Sequence, residues 1–159
     1  MALILTFKQQ PMDLSFPSEY DFEQIDDLTY KLISKANEEP ITSINNSAFN
    51  SCESLESVAI PDSVNTIGNC AFSDCTSLKS VVIPNSVNTI GNCAFTGCTS
   101  LESIVIPNSV NTIGKYAFYF CTSLKIITIN GQTTEYLEKY FRSNHPKIDL
   151  VFPDQFLLK

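Results

Sequence analysis

Four short segments of the chain alternate between branched aliphatic residues and others, and they recur at a constant interval. They read LESVAI, LKSVVI, LESIVI and LKIITI, and a proline or an asparagine follows each one. Such alternation is typical of β-strands, in which successive side chains point to opposite faces of a sheet. We therefore predict four strands with one aliphatic face each. The residues on that face are Val58, Ile60, Val81, Ile83, Ile104, Ile106, Ile127 and Ile129.

A second pattern runs between these segments, and residues 86–98 give one example of it as SVNTIGNCAFTGC. It contains a glycine suited to a turn, followed by apolar residues at positions i, i+1 and i+4. That spacing is typical of about one helical turn. We therefore expect each connection to contain a turn and then a short helical turn.

The combined pattern is an internal repeat with an interval of about 23 residues, which lies in the range of known solenoid repeats. The units are 43–65, 66–88, 89–111 and 112–134, and the second and third differ at only four positions. A unit this short cannot bury its own apolar face, so it must stack on its copies. The repeat predicts an α/β solenoid in which each unit contributes a strand and a short helical turn. Stacked leucine, valine or isoleucine, phenylalanine and alanine residues would fill its interior.

The segments that flank the repeats are predicted to cap the apolar ends of the stack, within one domain overall. Residues 1–42 form the N-terminal capping segment. Within it, LTYKLIS at 28–34 favours a strand, whereas SEYDFEQI at 18–25 favours a short helix that begins with a loose capping box.

The C-terminal cap is predicted to span residues 135–159. TTEYLEKYFRSN favours an amphipathic helix, which the pair Glu135 and Lys139 would support, and HPKIDLVFP favours a final strand. The apolar face of this helix would comprise Tyr136, Leu137, Tyr140 and Phe141. An incomplete cap would leave apolar surface through which copies could pair.

The repeated unit resembles the BspA-like class of leucine-rich repeats. Residues 83–107, IPNSVNTIGNCAFTGCTSLESIVIP, follow the pattern I-P-x-S-V-x-x-I-G-x-x-A-F-x-x-C-x-S-L, and the likeness extends over roughly residues 40–130. The resemblance implies a right-handed solenoid with a parallel β-sheet on one face and the short helical turns on the other. It also implies a surface role in adhesion or host binding, as in many such proteins of bacteria and anaerobic protists. The first unit departs from the pattern at Asn45, where the others have glycine, and the fourth at Asn130, where the others have proline.

The charge of the chain narrows the range of partners. A net charge of -7 argues against nucleic acid, which requires a basic face. Eight of the 17 acidic residues fall in residues 1–42. The run Glu19, Asp21, Glu23, Asp26 and Asp27 is interpreted as a solvated face, with calcium as a weak alternative because the spacing lacks the EF-hand pattern.

Membrane insertion is not expected, because no stretch approaches the roughly 18 apolar residues of a spanning helix. The opening MALILTF is apolar but short and lacks a basic start, so we do not interpret it as a secretory signal. These features favour a cytoplasmic location, whereas the family resemblance would place the protein at the cell surface by an unconventional route.

Six cysteines occupy two positions of the repeat. The first set is Cys52, Cys75, Cys98 and Cys121. We interpret these four as small buried residues of the wall. Cys70 and Cys93 occupy a variable position and are expected nearer the surface. A disulfide between them is an alternative that no secretory signal supports, and a zinc site would need four converging ligands, so we predict no metal.

The residue pattern does not support an enzyme. A cysteine or serine nucleophile needs a nearby base, and the one histidine, His145, stands outside the repeats in SNHPK. We find no phosphate-binding glycine loop of the common types, and the acidic residues of the repeats are scattered rather than paired. We therefore predict a non-enzymatic protein without a cofactor.

Equivalent residues of stacked units form ladders, because parallel strands lie about 4.8 Å apart. One ladder alternates in charge, and we call it the charge ladder: Glu56, Lys79, Glu102 and Lys125. Opposite charges side by side on a sheet would stabilise the register by about 0.2–1 kcal/mol per pair. A role in binding is the alternative interpretation of this ladder.

The best functional candidate in the sequence is the side of the predicted sheet that faces away from the core. We call this set the outer sheet face: Ser57, Ala59, Ser80, Val82, Ser103, Val105, Ile126 and Thr128. Its middle is mildly apolar, and a contiguous apolar patch often marks an interaction surface. We predict that it binds a protein partner. Self-association into a homo-oligomer, as a structural or adhesive element, is the alternative.

Overall fold

A computed structural model of the protein describes residues 4–7, 21–26, 29–33, 40–130, 135–144 and 148–152. The strands are β1 (Ile4–Phe7), β2 (Asp21–Asp26), β3 (Thr29–Ile33), β4 (Ser43–Ile44), β5 (Leu55–Ala59), β6 (Thr66–Ile67), β7 (Ser80–Val82), β8 (Thr89–Ile90), β9 (Ser103–Ile106), β10 (Thr112–Ile113), β11 (Ile126–Ile129) and β12 (Asp149–Val151). Helix α1 (Glu135–Asn144) lies between β11 and β12.

The strands β5, β7, β9 and β11 are those that the aliphatic alternation predicts, and they stack in parallel. Residues one repeat interval apart are partners in the ladders, such as Val58 with Val81 and Ile104 with Ile127. The inward residues of these strands are buried and the intervening residues face outward. The structure thus confirms a solenoid of stacked parallel strands. We call one repeat of this stack a rung.

A second parallel sheet lies elsewhere on each rung and was not predicted. It consists of the two-residue strands β4, β6, β8 and β10, in that spatial order. Each of the last three is a Thr-Ile pair whose isoleucine is buried and stacks on its counterpart, as Ile67 does on Ile90. Two residues are too few for a strand pattern to be recognised in sequence, which explains the omission.

The connections after these short strands are turns, so the expectation of helical turns is wrong for the described repeats. Some of their backbone N–H groups donate to the next rung, and others donate to the carbonyl three residues earlier, as that of Thr96 does, whereas an α-helix requires bonds to residue i−4. The amide of Cys93 donates to the carbonyl of Lys115 at 2.9 Å, and that of Phe95 donates to the carbonyl of Ala117 at 2.8 Å. The apolar residues at i, i+1 and i+4 therefore mark a turn that is hydrogen-bonded between rungs.

A column of phenylalanine rings runs through the turn side of the core. Phe49, Phe72, Phe95 and Phe118 are all buried, and consecutive rings stack with centroids 5.3, 5.4 and 5.5 Å apart. Phe141 of α1 continues the column 5.9 Å beyond Phe118. Such aromatic pairs add about 0.5–1.5 kcal/mol each to the free energy gained from burial.

The glycine that follows each Thr-Ile pair is required by close contact between rungs. A Cβ atom at Gly91 would lie 2.7 Å from the backbone nitrogen of Asn69, and Gly68 meets Asn46 in the same way. Asn45 stands at this position in the first rung, where β4 is the edge of its sheet. Its departure from the repeat pattern therefore has a steric explanation.

The N-terminal segment extends the sheet by antiparallel pairing. β1 pairs with β5 on one side and with β3 on the other, and β2 pairs with β3. The strand predicted in LTYKLIS is confirmed as β3, whereas the helix predicted in SEYDFEQI is wrong for residues 21–25, which belong to β2. Pairing with β3 supplies hydrogen bonds that outweigh the loose capping box; residues 18–20 lie outside the described ranges.

The C-terminal helix and strand are both confirmed, and they continue the repeat register. Phe141 stands one repeat interval after Phe118, and β12 pairs in parallel with β11, with Val151 opposite Thr128. The hydroxyl of Tyr140 donates to the carbonyl of Gly114 at 3.0 Å. The side chains of Tyr136 and Leu137 lie outside the described part of the chain, and the division into repeats and caps stays a prediction.

Candidate functional site

The predicted outer sheet face occupies the outward side of β5, β7, β9 and β11. It consists of two columns of equivalent residues, Ser57–Ser80–Ser103–Ile126 and Ala59–Val82–Val105–Thr128, which are ladder partners from β5 to β7 and from β9 to β11. The strands β7 and β9 lie in contact but belong to two different hydrogen-bonded sheets. The outward positions of β7 and β9 are exposed, whereas those of β5 and residue Thr128 are partly buried. The ends of the face are therefore less accessible than its middle.

The middle of the outer sheet face is an aliphatic patch. Val82 is 58% exposed, Val105 45% and Ile126 42%. We call these three residues the aliphatic row. Val82 on β7 and Val105 on β9 occupy equivalent positions of adjacent repeats, and these two strands lie in contact. Ile126 lies one strand further along, on β11. Three exposed aliphatic side chains close together are more informative than single ones scattered over a surface.

The aliphatic patch is longer than sequence reasoning indicated. Val151 of β12 pairs with Thr128, and it is exposed. It stands one repeat interval after Thr128, so it continues the ladder of Val105 and Thr128 and occupies the repeat position of Val82. The repeat interval itself was the signal that could have identified it.

The charge ladder runs along one side of the aliphatic row. The ammonium of Lys79 lies 2.8 Å from the Oε1 atom of Glu56 in a largely exposed ion pair. The backbone amide of Lys125 donates to the carbonyl of Glu102 at 2.9 Å, which keeps these two residues on neighbouring strands. A shallow depression of about 510 Å³ beside the row is lined by Lys79, Ser100, Glu102, Ser103 and Ser123. The row is therefore apolar with a polar, charged border.

The cysteines of the first set form part of the wall on the turn side. Cys75, Cys98 and Cys121 are buried, and each thiol donates to the carbonyl of a phenylalanine 26 residues earlier, at 3.2, 3.2 and 3.1 Å. Burial raises the pKa of Cys75 and raises that of the partly buried Cys52 to about 11. A raised pKa keeps a thiol protonated and unreactive, as the wall interpretation requires.

A second exposed apolar cluster lies on the turn side of the fourth repeat. Tyr116, Tyr119 and Phe120 are exposed, with Phe120 62% accessible, and the rings of Tyr119 and Phe120 meet edge to face at 4.3 Å. The sequence analysis did not single out these residues. The signal was present, because the equivalent residues of the third repeat are Cys93, Thr96 and Gly97.

The described residues offer little to metal or acid–base chemistry. Nowhere in the described ranges do three or more His, Cys, Asp or Glu side chains converge in a way that could hold a metal ion. His145, Glu19 and Asp27 lie outside those ranges, so the interpretations placed on them stay predictions. No helix in the described part is both long enough and apolar enough to cross a bilayer.

Comparison with known proteins gives a consistent result. The model of the family described as BspA type leucine-rich repeat region matches residues 19–157 with six copies. No curated protein matches the chain. A leucine-rich cell surface protein from Faecalibacterium prausnitzii matches in structure with a TM-score of 0.64 at 29% identity, over 86% of this chain and 40% of that one. The chain thus spans about two fifths of that relative.

Two further solved structures cover larger shares of their own chains. A leucine-rich repeat protein from Bacteroides capillosus has a TM-score of 0.52 at 25% identity, over 71% of this chain and 73% of that one. The T. pallidum leucine-rich repeat protein has a TM-score of 0.52 at 25% identity, over 76% and 71%. These structures agree with the stacked-strand architecture described above.

Proposed function

Because the chain belongs to the BspA-type leucine-rich-repeat family, we propose that it is a non-enzymatic protein-binding module whose partner contacts the outer sheet face. Solenoids of stacked repeats present extended surfaces that are commonly used for binding. The similar Faecalibacterium prausnitzii protein is described as a cell surface protein, which supports a surface role for this chain as well. The flanking segments 1–42 and 135–159 would cap the stack.

The observation that carries the proposal is the exposed aliphatic row, which projects from strands whose other face is buried in the core. Val82, Val105 and Ile126 project from strands whose inward neighbours Val81, Ile104 and Ile127 are buried in the core. Protein interfaces commonly combine an apolar centre with a polar rim. The row would supply the centre, and the serines and the charge ladder would supply the rim. Because the strands are fixed by their ladders, little ordering would be needed on binding.

The double substitution Val82→Glu with Val105→Glu tests the site. Both side chains point away from the core, so the fold should survive while two carboxylates occupy the proposed contact. We expect proteins captured from native lysate by the immobilised wild-type chain to be lost with this variant. Quantitative mass spectrometry of the captured proteins measures the change, and circular dichroism verifies the fold.

A matched control comes from the exposed aromatic cluster on the turn side. The double substitution Tyr119→Thr with Phe120→Gly copies the third repeat and removes a similar apolar area. Capture should persist with this control. Loss of capture with the control, and not with the valine variant, would move the binding site to the turn side.

Self-association through the same face is the second candidate, and the charge ladder favours it. Its order is Glu, Lys, Glu, Lys from Glu56 to Lys125, so the reversed order is complementary to it. Two copies that face each other about a two-fold axis would place Glu56 opposite Lys125 of the other copy, and Lys79 opposite Glu102. Isologous dimers require this kind of self-complementary surface.

Charge exchange tests this candidate. An all-acidic ladder, made by Lys79→Glu with Lys125→Glu, and an all-basic ladder, made by Glu56→Lys with Glu102→Lys, should each be monomeric. An equimolar mixture of the two should recover the dimer in sedimentation velocity at low salt. A wild-type chain that stays monomeric over the full concentration range would refute self-association and leave the binding proposal intact.

A further inference from the structure

Cys70 and Cys93 differ from the wall cysteines in their position. They lie on the turn side at the same place in adjacent rungs, and both are partly exposed. The amide of Cys70 donates to the carbonyl of Asn92 at 2.8 Å, so the backbone at Cys70 runs directly beside the residue that precedes Cys93. The two cysteines are therefore neighbours in a hydrogen-bonded register between rungs.

Their backbones also share one conformation. The φ angle is 53° at Cys70 and 55° at Cys93, both in the left-handed region. Equal dihedrals on adjacent, parallel rungs give the two Cα–Cβ bonds similar directions, so the thiols project from the same strip of surface. Adjacent rungs lie about 4.8 Å apart, which falls within the range of Cα separations that disulfides span, and a small convergence of the two Cβ atoms would bring them to the roughly 3.5–4.5 Å that the bond requires.

The surroundings of Cys70 include the second thiol. Burial and then the neighbouring Cys93 thiol raise the pKa of Cys70. By contrast, Cys75, Cys98 and Cys121 donate to backbone carbonyls inside the wall. The first and fourth rungs hold Ser47 and Tyr116 at this place, so only one pair of adjacent rungs carries two thiols there.

We propose that Cys70 and Cys93 form a redox-active dithiol site that takes a low-molecular-weight disulfide of the glutathione type as its substrate. We assign the first attack to Cys93, because the raised pKa of Cys70 disfavours a thiolate there. The Cys93 thiolate attacks a sulfur of the substrate, forms a mixed disulfide and releases the first small thiol. The second thiolate attacks the protein sulfur of that mixed disulfide, forms the Cys70–Cys93 bond and releases the second small thiol. The two protein thiols lose two electrons and two protons, which reduce the substrate disulfide to two thiols.

Closure of this bond would covalently join the second and third rungs. A crosslink restricts the unfolded chain, so the oxidised protein should unfold at a higher temperature than the reduced protein. The bond would lie on the turn side and leave the outer sheet face untouched. The inference is therefore independent of the proposed binding function.

The test uses the full chain treated with oxidised glutathione and analysed by intact mass and peptide mapping. The wild type should lose the mass of two hydrogen atoms, and fragmentation should assign the crosslink to Cys70 and Cys93. Cys70→Ser and Cys93→Ser should each retain a glutathione adduct on the remaining cysteine, because the second displacement is impossible. Both variants should fold, since Ser47 stands at this place in the first rung with a φ angle of 57°.

Cys52→Ser is the matched control, because it removes a partly buried thiol elsewhere on the turn side. It should form the crosslink as the wild type does. A wild type that accumulates only glutathione adducts, or a crosslink that maps to another pair of cysteines, would overturn the proposal. A crosslink that persists in Cys70→Ser would overturn it as well.

Discussion

The sheet side and the turn side of the solenoid stack their rungs with different backbones. On the sheet side, β5, β7, β9 and β11 use the extended conformation, which every residue except proline adopts readily. On the turn side, each rung places two positions in the left-handed region. These positions are Ser47, Ser51, Cys70, Asp74, Cys93, Gly97, Tyr116 and Phe120. Only one of the eight is glycine, the residue that adopts this conformation without strain.

The difference indicates where the protein can vary without loss of stability. Outward residues of the sheet side can be replaced to suit a binding partner, because their extended backbone accepts most residue types. Residues of the turn side are held in a conformation that costs L-residues roughly 1–2 kcal/mol. Tyr116 and Phe120 place bulky side chains at such positions. Strained residues of this kind persist only where the surrounding structure holds them in place.

Of the substitutions that test this comparison, Phe95→Ala should have the largest effect on stability, because it removes a buried ring from the turn side. Phe95 stacks on Phe72 and Phe118, so the loss leaves a cavity between two rings. We expect the free energy of unfolding to fall by about 3–5 kcal/mol, measured by urea denaturation. Val105→Ala on the outward sheet side is the control and should cost no more than about 0.5 kcal/mol. Equal costs would contradict the assignment of the column to the core.

Alkaline pH should weaken the turn side selectively. The unfolded chain releases its thiol protons near pH 8.5, whereas burial raises the pKa of Cys52 to about 11. Between these values the folded state holds more protons than the unfolded state, so stability falls as pH rises. The stabilisation is complete below about pH 8, and about 3 kcal/mol from Cys52 should be lost by pH 11.

Urea denaturation of the reduced protein at a series of pH values measures this loss. Cys52→Ala is the matched variant, and its stability should decline less steeply between pH 8.5 and 11. The inward residues of the sheet side are aliphatic and do not titrate, so they contribute nothing to the slope. An identical slope in the variant would show that the thiol of Cys52 is not protected by the fold.

Gly91→Ala should disturb the close contact between two rungs where the chain enters the turn side. The added Cβ would lie 2.7 Å from backbone atoms of Asn69 and Gly68, so a whole rung must shift. We expect a loss of about 1–3 kcal/mol, the usual cost of overpacking, in the same denaturation assay. Asn45→Ala changes the equivalent residue at the edge of its sheet and should be nearly neutral. A comparable loss there would remove the steric explanation for Asn45.

Sequence periodicity predicted the parts of the fold that are repeated or locally patterned. The strand alternation located β5, β7, β9 and β11, and the apolar spacing located α1. The constancy of the repeat interval required stacking. The same interval also extended to Phe141 and Val151, where the recognisable motif ends. Both residues lie in elements that were predicted, but their places in the repeat register were missed because only the motif was followed.

Features that depend on contacts between rungs were not predictable in the same way. β2 adopts a strand because β3 pairs with it, although its sequence also fits a short helix. The backbone of each turn is hydrogen-bonded to the next rung, and this requirement holds certain residues in the left-handed region. The residue types at those positions do not reveal that conformation. The aliphatic row was predicted because outward positions follow from strand alternation alone, whereas the exposure of Tyr116, Tyr119 and Phe120 depends on the course of a turn.

Matched substitutions of serine by glycine give the most direct test of the two sides, although the effects are small. Ser51 has a φ angle of 61°, so Ser51→Gly relieves left-handed strain and should raise the free energy of unfolding by about 0.5 kcal/mol after the entropic cost of glycine. Ser103 is an outward, exposed residue of β9, where the backbone is extended. Ser103→Gly therefore carries only the entropic cost of glycine and should lower the free energy of unfolding by about 0.5–1 kcal/mol. Differential scanning calorimetry compares the two variants with the wild type. Because the chemical change is identical, opposite signs must come from the backbone, and shifts in the same direction would mean that the turn side carries no conformational strain.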